Sequence, residues 1–210
     1  MSERRIWYAA YGSNISHERF RCYLEGGSYQ DGHRPQVGAR NSSPPGRLSP
    51  LLYGPWTLSF ACSSERWGGG VAFLELDRAG GAAIRCWDIT EEQFLDVAAQ
   101  ENGLEPGEFR VDLDEVVAAD QLVHGDSWYS KVIYLGMYLG SPVLTFTNPT
   151  PVEFNAPGRP YLSVILKGLM EASPLQLEMH LSQLMRANGI SPAWTKEALR
   201  DIVDLSLIHI

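Results

Sequence analysis

Near the N-terminus, Ile6, Tyr8 and Ala10 alternate with Trp7, Ala9 and Tyr11. Apolar residues in both phases of a period of two predict a strand packed on both faces. The run stops at Gly12-Ser13-Asn14. Glycine tolerates positive φ there, and Ser and Asn bond to nearby backbone, so the chain turns. Successive N–H groups in such a turn could hold an oxyanion or carboxylate; an ordinary strand-to-helix turn is the alternative. A helix is predicted from the N-cap Ser16, with Phe20, Tyr23 and Leu24 as its stripe and Gly26 as its stop. Further strands are predicted at Trp56–Ala61, Val71–Leu76 and Ala82–Trp87, with a turn at 77–81. They suggest an antiparallel meander that could curl toward a barrel. Two more follow at Trp128–Leu135 and Val143–Thr147. Helices are predicted over 90–103, from Tyr161, over roughly Pro174–Asn188 with Leu177, Leu181 and Leu184 on one face, and from Ser191-Pro192. Leu205–Ile210 stays open between a short strand and a non-native tail.

The segments between these elements differ in character. Residues 26–50 are rich in Gly, Pro, Ser and Arg and predict a long loop, of the kind that is usually mobile or functional. Its Arg34, Arg40 and Arg47 are expected to be solvated, with an anion contact as the alternative. The acidic residues scattered over 104–126 show no Gly-centred calcium spacing and are expected to be connecting structure. Pro149, Pro151, Pro157 and Pro160 make 148–160 an extended loop. Gly68-Gly69-Gly70 lacks the Lys-Ser/Thr and the following helix of a phosphate loop, and predicts a bulge or a close backbone approach instead.

The helix over 90–103 carries the most pointed chemical signal. Thr90 and Gln93 have capping-box spacing. Phe94, Val97 and Ala98 share a face, and the next position on it is Glu101, just before Asn102-Gly103. Partial burial and the negative end of the helix dipole would both raise this carboxyl's pKa toward a range useful for proton transfer. A frayed, solvated helix end is the alternative. Glu91, Glu92 and Asp96 lack this setting.

Bulk properties narrow the classes further. A 210-residue chain with 44% hydrophobic and 20% charged residues suits one soluble globular domain. The formal charge of −8 argues against nonspecific nucleic-acid binding. No apolar run reaches a membrane span, and no signal-peptide core follows Met-Ser-Glu-Arg-Arg, so a cytoplasmic location is expected. Cys22, Cys62 and Cys86 have no metal or disulfide spacing and sit in apolar segments, which predicts buried thiols rather than a nucleophile. His17, His33, His124, His180 and His209 are scattered, and no metal site is expected.

Four segments together resemble one family. "YAAYGSNIS" is similar to the "YGSNL" signature of gamma-glutamylcyclotransferase-like (AIG2-like) proteins. "WGGGVAFLE" is similar to their strand "VWGVVYEL", "LDVAAQENGL" to "LDxxEG", and "PGRPYLSVILKGL" to "PSPxYLxxIxxGA". In this chain Asn102 stands between the Glu and the Gly. The resemblance implies an α+β fold, a small distorted mixed β-barrel with surrounding helices. It would form one domain over 1–204, with a loop insertion at about 26–50 and an unassigned tail at 205–210. The implied chemistry is attack of a γ-glutamyl α-amine on its own γ-carbonyl, giving 5-oxoproline and a free amine. Glu101 is then the acid-base, and Tyr11, Gly12, Ser13, Asn14 and Tyr161 bind substrate, although an aromatic at a helix start also serves as a packing anchor. The substrate would be a small molecule or peptide of γ-glutamyl type. No cofactor, metal, nucleic acid or membrane is expected, and the protein would act as a monomer or homodimer. An amidohydrolase or acyltransferase using the same Glu, or a non-catalytic binding module, are the alternatives.

Overall fold

The computed structural model describes residues 3–30, 34–76 and 80–208. In chain order they form β1 (Arg5–Ala10), a 3₁₀ turn (Ser13–Ile15), α1 (His17–Glu25), β2 (Leu48–Tyr53), β3 (Thr57–Ser64), β4 (Gly69–Glu75) and β5 (Ala83–Thr90). α2 (Glu91–Glu101), α3 (Leu113–Ala119), β6 (Gln121–Val123), β7 (Lys131–Tyr138) and β8 (Ser141–Thr147) follow. The chain ends in α4 (Arg159–Ala172), a 3₁₀ turn (Pro174–Gln176), α5 (Leu177–Leu184) and α6 (Lys196–Ile208). Six strands make a mixed sheet in the order β2-β5-β1-β8-β7-β6, and β3 and β4 pair separately. Two compact units share the chain. The first comprises 1–10, 18–49 and 86–151, and the second 11–17, 50–85 and 152–210.

In the first unit β1 runs parallel to β8, with Trp7 opposite Val143 and Tyr8 opposite Leu144. β7 is antiparallel to both β8 and β6. The predicted two-faced burial of the first strand is present: Ile6 through Ala10 are all buried. Tyr8 is the aromatic hub, with ring centroids 5.5 Å from Phe20, 5.9 Å from Phe94 and 5.2 Å from Phe146.

α2 starts as its capping box requires. Thr90 Oγ1 accepts from Gln93 N at 3.1 Å, and Gln93 Oε1 accepts from Thr90 N at 3.0 Å. Its polar side then fastens the Gly/Pro-rich stretch. Gln93 donates to the carbonyls of Asn41 and Ser43, and Asp96, with no exposed surface, accepts from Arg40 N and its guanidinium. Gln100 accepts from Gly38 N and donates to Tyr23 O. Arg47 pairs with Asp88, which also holds Arg5. Arg40 and Arg47 therefore stay exposed, as the composition suggested, while also anchoring this stretch through ion pairs.

Three expectations are corrected here. Residues 104–126 contain α3, capped by Asp112 Oδ1, which accepts from Asp114 N and Glu115 N at 2.9 and 3.3 Å. The stretch beginning at Leu48 is a strand, whose Ser49 Oγ accepts from Cys86 N at 2.8 Å. The strand predicted from Trp128 starts at Lys131, because Ser130 Oγ donates to the carbonyls of Gly125 and Ser127 and closes a turn.

In the second unit β3 and β4 form an antiparallel hairpin whose register slips between Ala61 and Ser64, where Cys62 takes φ 60°. The expected three-stranded meander does not form, since β5 pairs in the six-stranded sheet. The glycine triplet is where close approach was predicted. A Cβ at Gly70 would lie 2.1 Å from Asn155 O, and Gly70 N donates to Ala156 O at 2.8 Å. α4 packs on the 13–15 turn, α5 and α6. The last helix does not begin at Ser191-Pro192: Thr195 Oγ1 accepts from Ala198 N, and α6 starts at Lys196. Its backbone is helical through Ile208, so Leu205–Ile208 is not a strand; 209–210, His33 and 77–79 lie outside the described residues. No helix of the described residues is long and apolar enough to cross a membrane.

The two kinds of ion pair should differ sharply in strength. Arg40→Ala leaves the buried Asp96 carboxylate without its cation and should cost about 2–3 kcal/mol. Arg21→Ala breaks an exposed i,i+4 pair with Glu25 and should cost no more than about 0.5 kcal/mol. Urea denaturation of both variants checks this; equal losses would show that Asp96 does not need Arg40.

Candidate functional site

The 12–16 turn is built against α4. Gly12 precedes a single 3₁₀ turn in which Ile15 N donates to Gly12 O and Ser16 N to Ser13 O, both at 3.1 Å. Gly12 has φ −104°, so positive φ is not what selects glycine. Space does: a Cβ there would lie 2.7 Å from Tyr161 Oη and 3.3 Å from Ala72 Cβ. Tyr161, at the first turn of α4, accepts from Ala72 N at 3.2 Å. Its ring lies 5.0 Å from Trp67 and meets Phe60 edge-on at 6.3 Å. About two helical turns on, a Cβ at Gly168 would lie 2.4 Å from Ser16 N. One turn later Glu171 accepts from His17 N at 2.9 Å and from Ser16 Oγ at 3.4 Å.

Arg85 completes this arrangement. Its guanidinium donates to Ile15 O at 3.0 Å and pairs with Glu171 at 3.1 Å. The side chain is 6% exposed. Burial pulls its pKa down, and the hydrogen bond and charge of Glu171 oppose that fall. Of the residues singled out in the sequence, Tyr11, Gly12, Ser13, Asn14 and Tyr161 belong to the second unit. All but the half-buried Gly12 are buried. Arg85, Gly168 and Glu171 were missed. A lone arginine inside the apolar run Ile84–Trp87 is the signal that could have found Arg85.

Glu101 belongs to the first unit, as the half-buried last residue of α2. It ends the stripe of Phe94, Val97 and Ala98, each with no exposed surface. The helix terminates in a Schellman motif: Leu104 N donates to Ala99 O at 2.9 Å, Gly103 N to Gln100 O at 3.2 Å, and Gly103 takes φ +71°. Asn102, the residue that departs from the family pattern, is the C-cap. Its Nδ2 donates to Ala98 O and Tyr129 O, and its Oδ1 accepts from Ser127 Oγ at 2.7 Å and Tyr129 N at 3.1 Å. Sequence reasoning missed this role also.

The cysteines are placed as buried or half-buried thiols. Burial pushes Cys86 up to about 12, against a bond with Ser49, and raises Cys22 and Cys62. Among the described residues no group of three or more His, Cys, Asp or Glu is placed to hold a metal.

Two experiments follow. Gly12→Ala should destabilise by about 1–3 kcal/mol through overpacking, and Tyr161→Phe by about 1 kcal/mol through the lost bond. Combined, they should cost clearly less than their sum, because Phe removes the oxygen the new methyl would meet. Additive losses would refute that contact. Native protein at neutral pH should be alkylated slowly, at Cys62 first and Cys86 last; rapid labelling of Cys86 would contradict its burial.

No family model matches the chain. It is similar to histone deacetylase 5 of Arabidopsis thaliana, 34% identical over 201 residues, covering 82% of this chain. The chain spans 29% of that relative's length. Among solved structures, a gamma-glutamyl cyclotransferase aligns with 96% of this chain and 99% of its own, at 17% identity and TM-score 0.53. An uncharacterized Homo sapiens protein aligns over the same shares, at 19% identity and TM-score 0.54. With its mixed sheet and surrounding helices, the chain has the gamma-glutamylcyclotransferase-like (AIG2-like) fold.

Proposed function

We propose that the protein cleaves a γ-glutamyl or similar amide by intramolecular attack of its α-amine, releasing 5-oxoproline and a free amine. The observation that carries this reading is the packing of the Gly12–Ser16 turn on α4, in a chain with the cyclotransferase-like fold. Tyr161 and Gly168 leave the turn no lateral freedom, which suits backbone donors that must be aimed before substrate arrives. In the proposed reaction the substrate ammonium loses a proton, its nitrogen bonds to the γ-carbonyl carbon, and the leaving amine gains a proton. Glu101 carries that proton in both directions. The amides of Gly12, Ser13 and Asn14 take the oxyanion or the α-carboxylate, and Tyr11 and Tyr161 shape the acyl end. Ring closure supplies proximity, so folding the glutamyl chain back is the remaining task. The activity in the plant relative's name belongs to that whole protein, of which this chain matches less than a third, and it supplies no substrate here.

Mass spectrometry of products from a panel of γ-glutamyl amides tests the reading, with Glu101→Gln alongside. Wild type should yield 5-oxoproline, and the variant should lose roughly 10²–10⁴-fold in rate while melting like wild type. Equal product from both would remove Glu101 from the mechanism. Glutamate in place of 5-oxoproline would make the protein an amidohydrolase, and saturable binding without turnover a binding module.

A further inference from the structure

A cleft in the second unit uses neither Glu101, Gly12 nor Tyr161. It has a volume of about 240 Å³, with Trp56, Gly80, Gly81, Gln183, Arg186 and Asn188 in its walls. This is below the roughly 300–1,000 Å³ of drug-sized sites, so its occupant is small. Through shared Leu58, Ala82 and Gln183 it adjoins a crevice of about 20 Å³, lined also by His180 and Tyr11. That is room for about one water-sized group.

The walls are fixed. Trp56 O accepts from Gly81 N at 2.9 Å and Ala82 N at 3.1 Å, and Trp56 Nε1 donates back to Ala82 O at 2.8 Å. Gly81 holds φ +125°, which disfavours any side chain on that lip.

Two acceptors here lack donors. His180 has no exposed surface. Its Nε2 lies 2.9 Å from Ser173 O, and a carbonyl can only accept, so the neutral ring carries its proton on Nε2 and presents Nδ1 as an acceptor. Nδ1 is buried with no partner. Gln183, on the next turn of α5, donates through Nε2 to Gly81 O at 3.2 Å, which orients the amide and leaves buried Oε1 with no partner. Buried acceptors are normally paired, so two orphans beside one void point to a ligand that brings donors. At the outer wall stands the exposed guanidinium of Arg186, which makes no ion pair among the described residues. The inner end therefore asks for N–H donors and the outer end for an anion.

We propose that this cleft binds a small zwitterion, with its primary ammonium donating to His180 Nδ1 and Gln183 Oε1 and its carboxylate facing Arg186. An α-amino acid, an ω-amino acid and a short peptide all carry this chemistry, and the separation of their charges tells them apart. Leu58, Ala82 and Trp56 leave the middle of the ligand an apolar wall.

The test is a titration of the full, isotope-labelled chain, followed by NMR, with glycine, 4-aminobutyrate and glycylglycine. Butylamine and butyrate serve as single-charge controls. At least one zwitterion should shift the side-chain signals of His180 and Gln183 saturably, and more tightly than either control. Gln183→Leu should weaken it at least tenfold, and Arg186→Ala, a surface change that leaves folding alone, should weaken the zwitterion but not butylamine. The site is overturned if no zwitterion binds better than the controls, if Arg186→Ala weakens both equally, or if water alone contacts His180 Nδ1 while every ligand leaves these signals unmoved. Because Glu101 takes no part, a failed cyclotransferase assay and a failed titration are separate results.

Discussion

One carboxylate holds the candidate turn in place. Glu171 accepts from the backbone of His17, from Ser16 Oγ and from the Arg85 guanidinium, and Arg85 also donates to Ile15 O. Each contact answers a need. His17 N is one of the first N–H groups of a helix, which have no intrahelical acceptor. Arg85 is a buried cation and requires a counter-charge. Ile15 O ends a single 3₁₀ turn that gives it little internal support. Breaking one partner would strand the others, so the turn's geometry is set by a network that tolerates no partial loss.

α2 does the same for the first unit by another route. Its apolar face enters the aromatic core through Phe94, while Gln93, Asp96 and Gln100 on its other side hold residues 38–43. The Gly/Pro-rich stretch that composition marks as a loose loop is thus fastened by side chains from a helix that caps itself. The bonds of Asn102 to Tyr129 and Ser127 then fix where this helix ends. Glu101 is one residue from that anchor, so its aim depends on Asn102 as much as on α2.

Local patterns were legible because they act locally. The alternation of Ile6–Tyr11, the Thr90–Gln93 box and the Gly68–Gly70 approach were all readable in the chain. What escaped depends on partners distant in sequence. The role of Asp96 shows only once Arg40 closes on it, and that of Gly168 only once the 15–16 backbone lies against it. β2 was hidden because a Pro-containing strand at a sheet edge gains its order from its neighbour rather than from its own pattern. The turn expected at Gly12 is present for another reason: the glycine is required for space beside Tyr161, not for φ.

The extra residue after Glu101 changes where the helix presents this carboxylate. In a pattern where Gly follows Glu directly, a Schellman ending with Gly at its left-handed position makes the Glu the C-cap. Here Gly103 keeps that left-handed position, Asn102 becomes the C-cap, and Glu101 moves back to the last helical residue. One residue of α-helix is about 100° of rotation and 1.5 Å of rise, so the carboxylate leaves the helix in a different direction. Asn102 then supplies the two donor and two acceptor contacts that hold the shifted end. A shared fold does not carry a shared aim across such a step. In the proposed reaction, the scissile bond would have to suit a carboxylate held at the end of the helix rather than just beyond it.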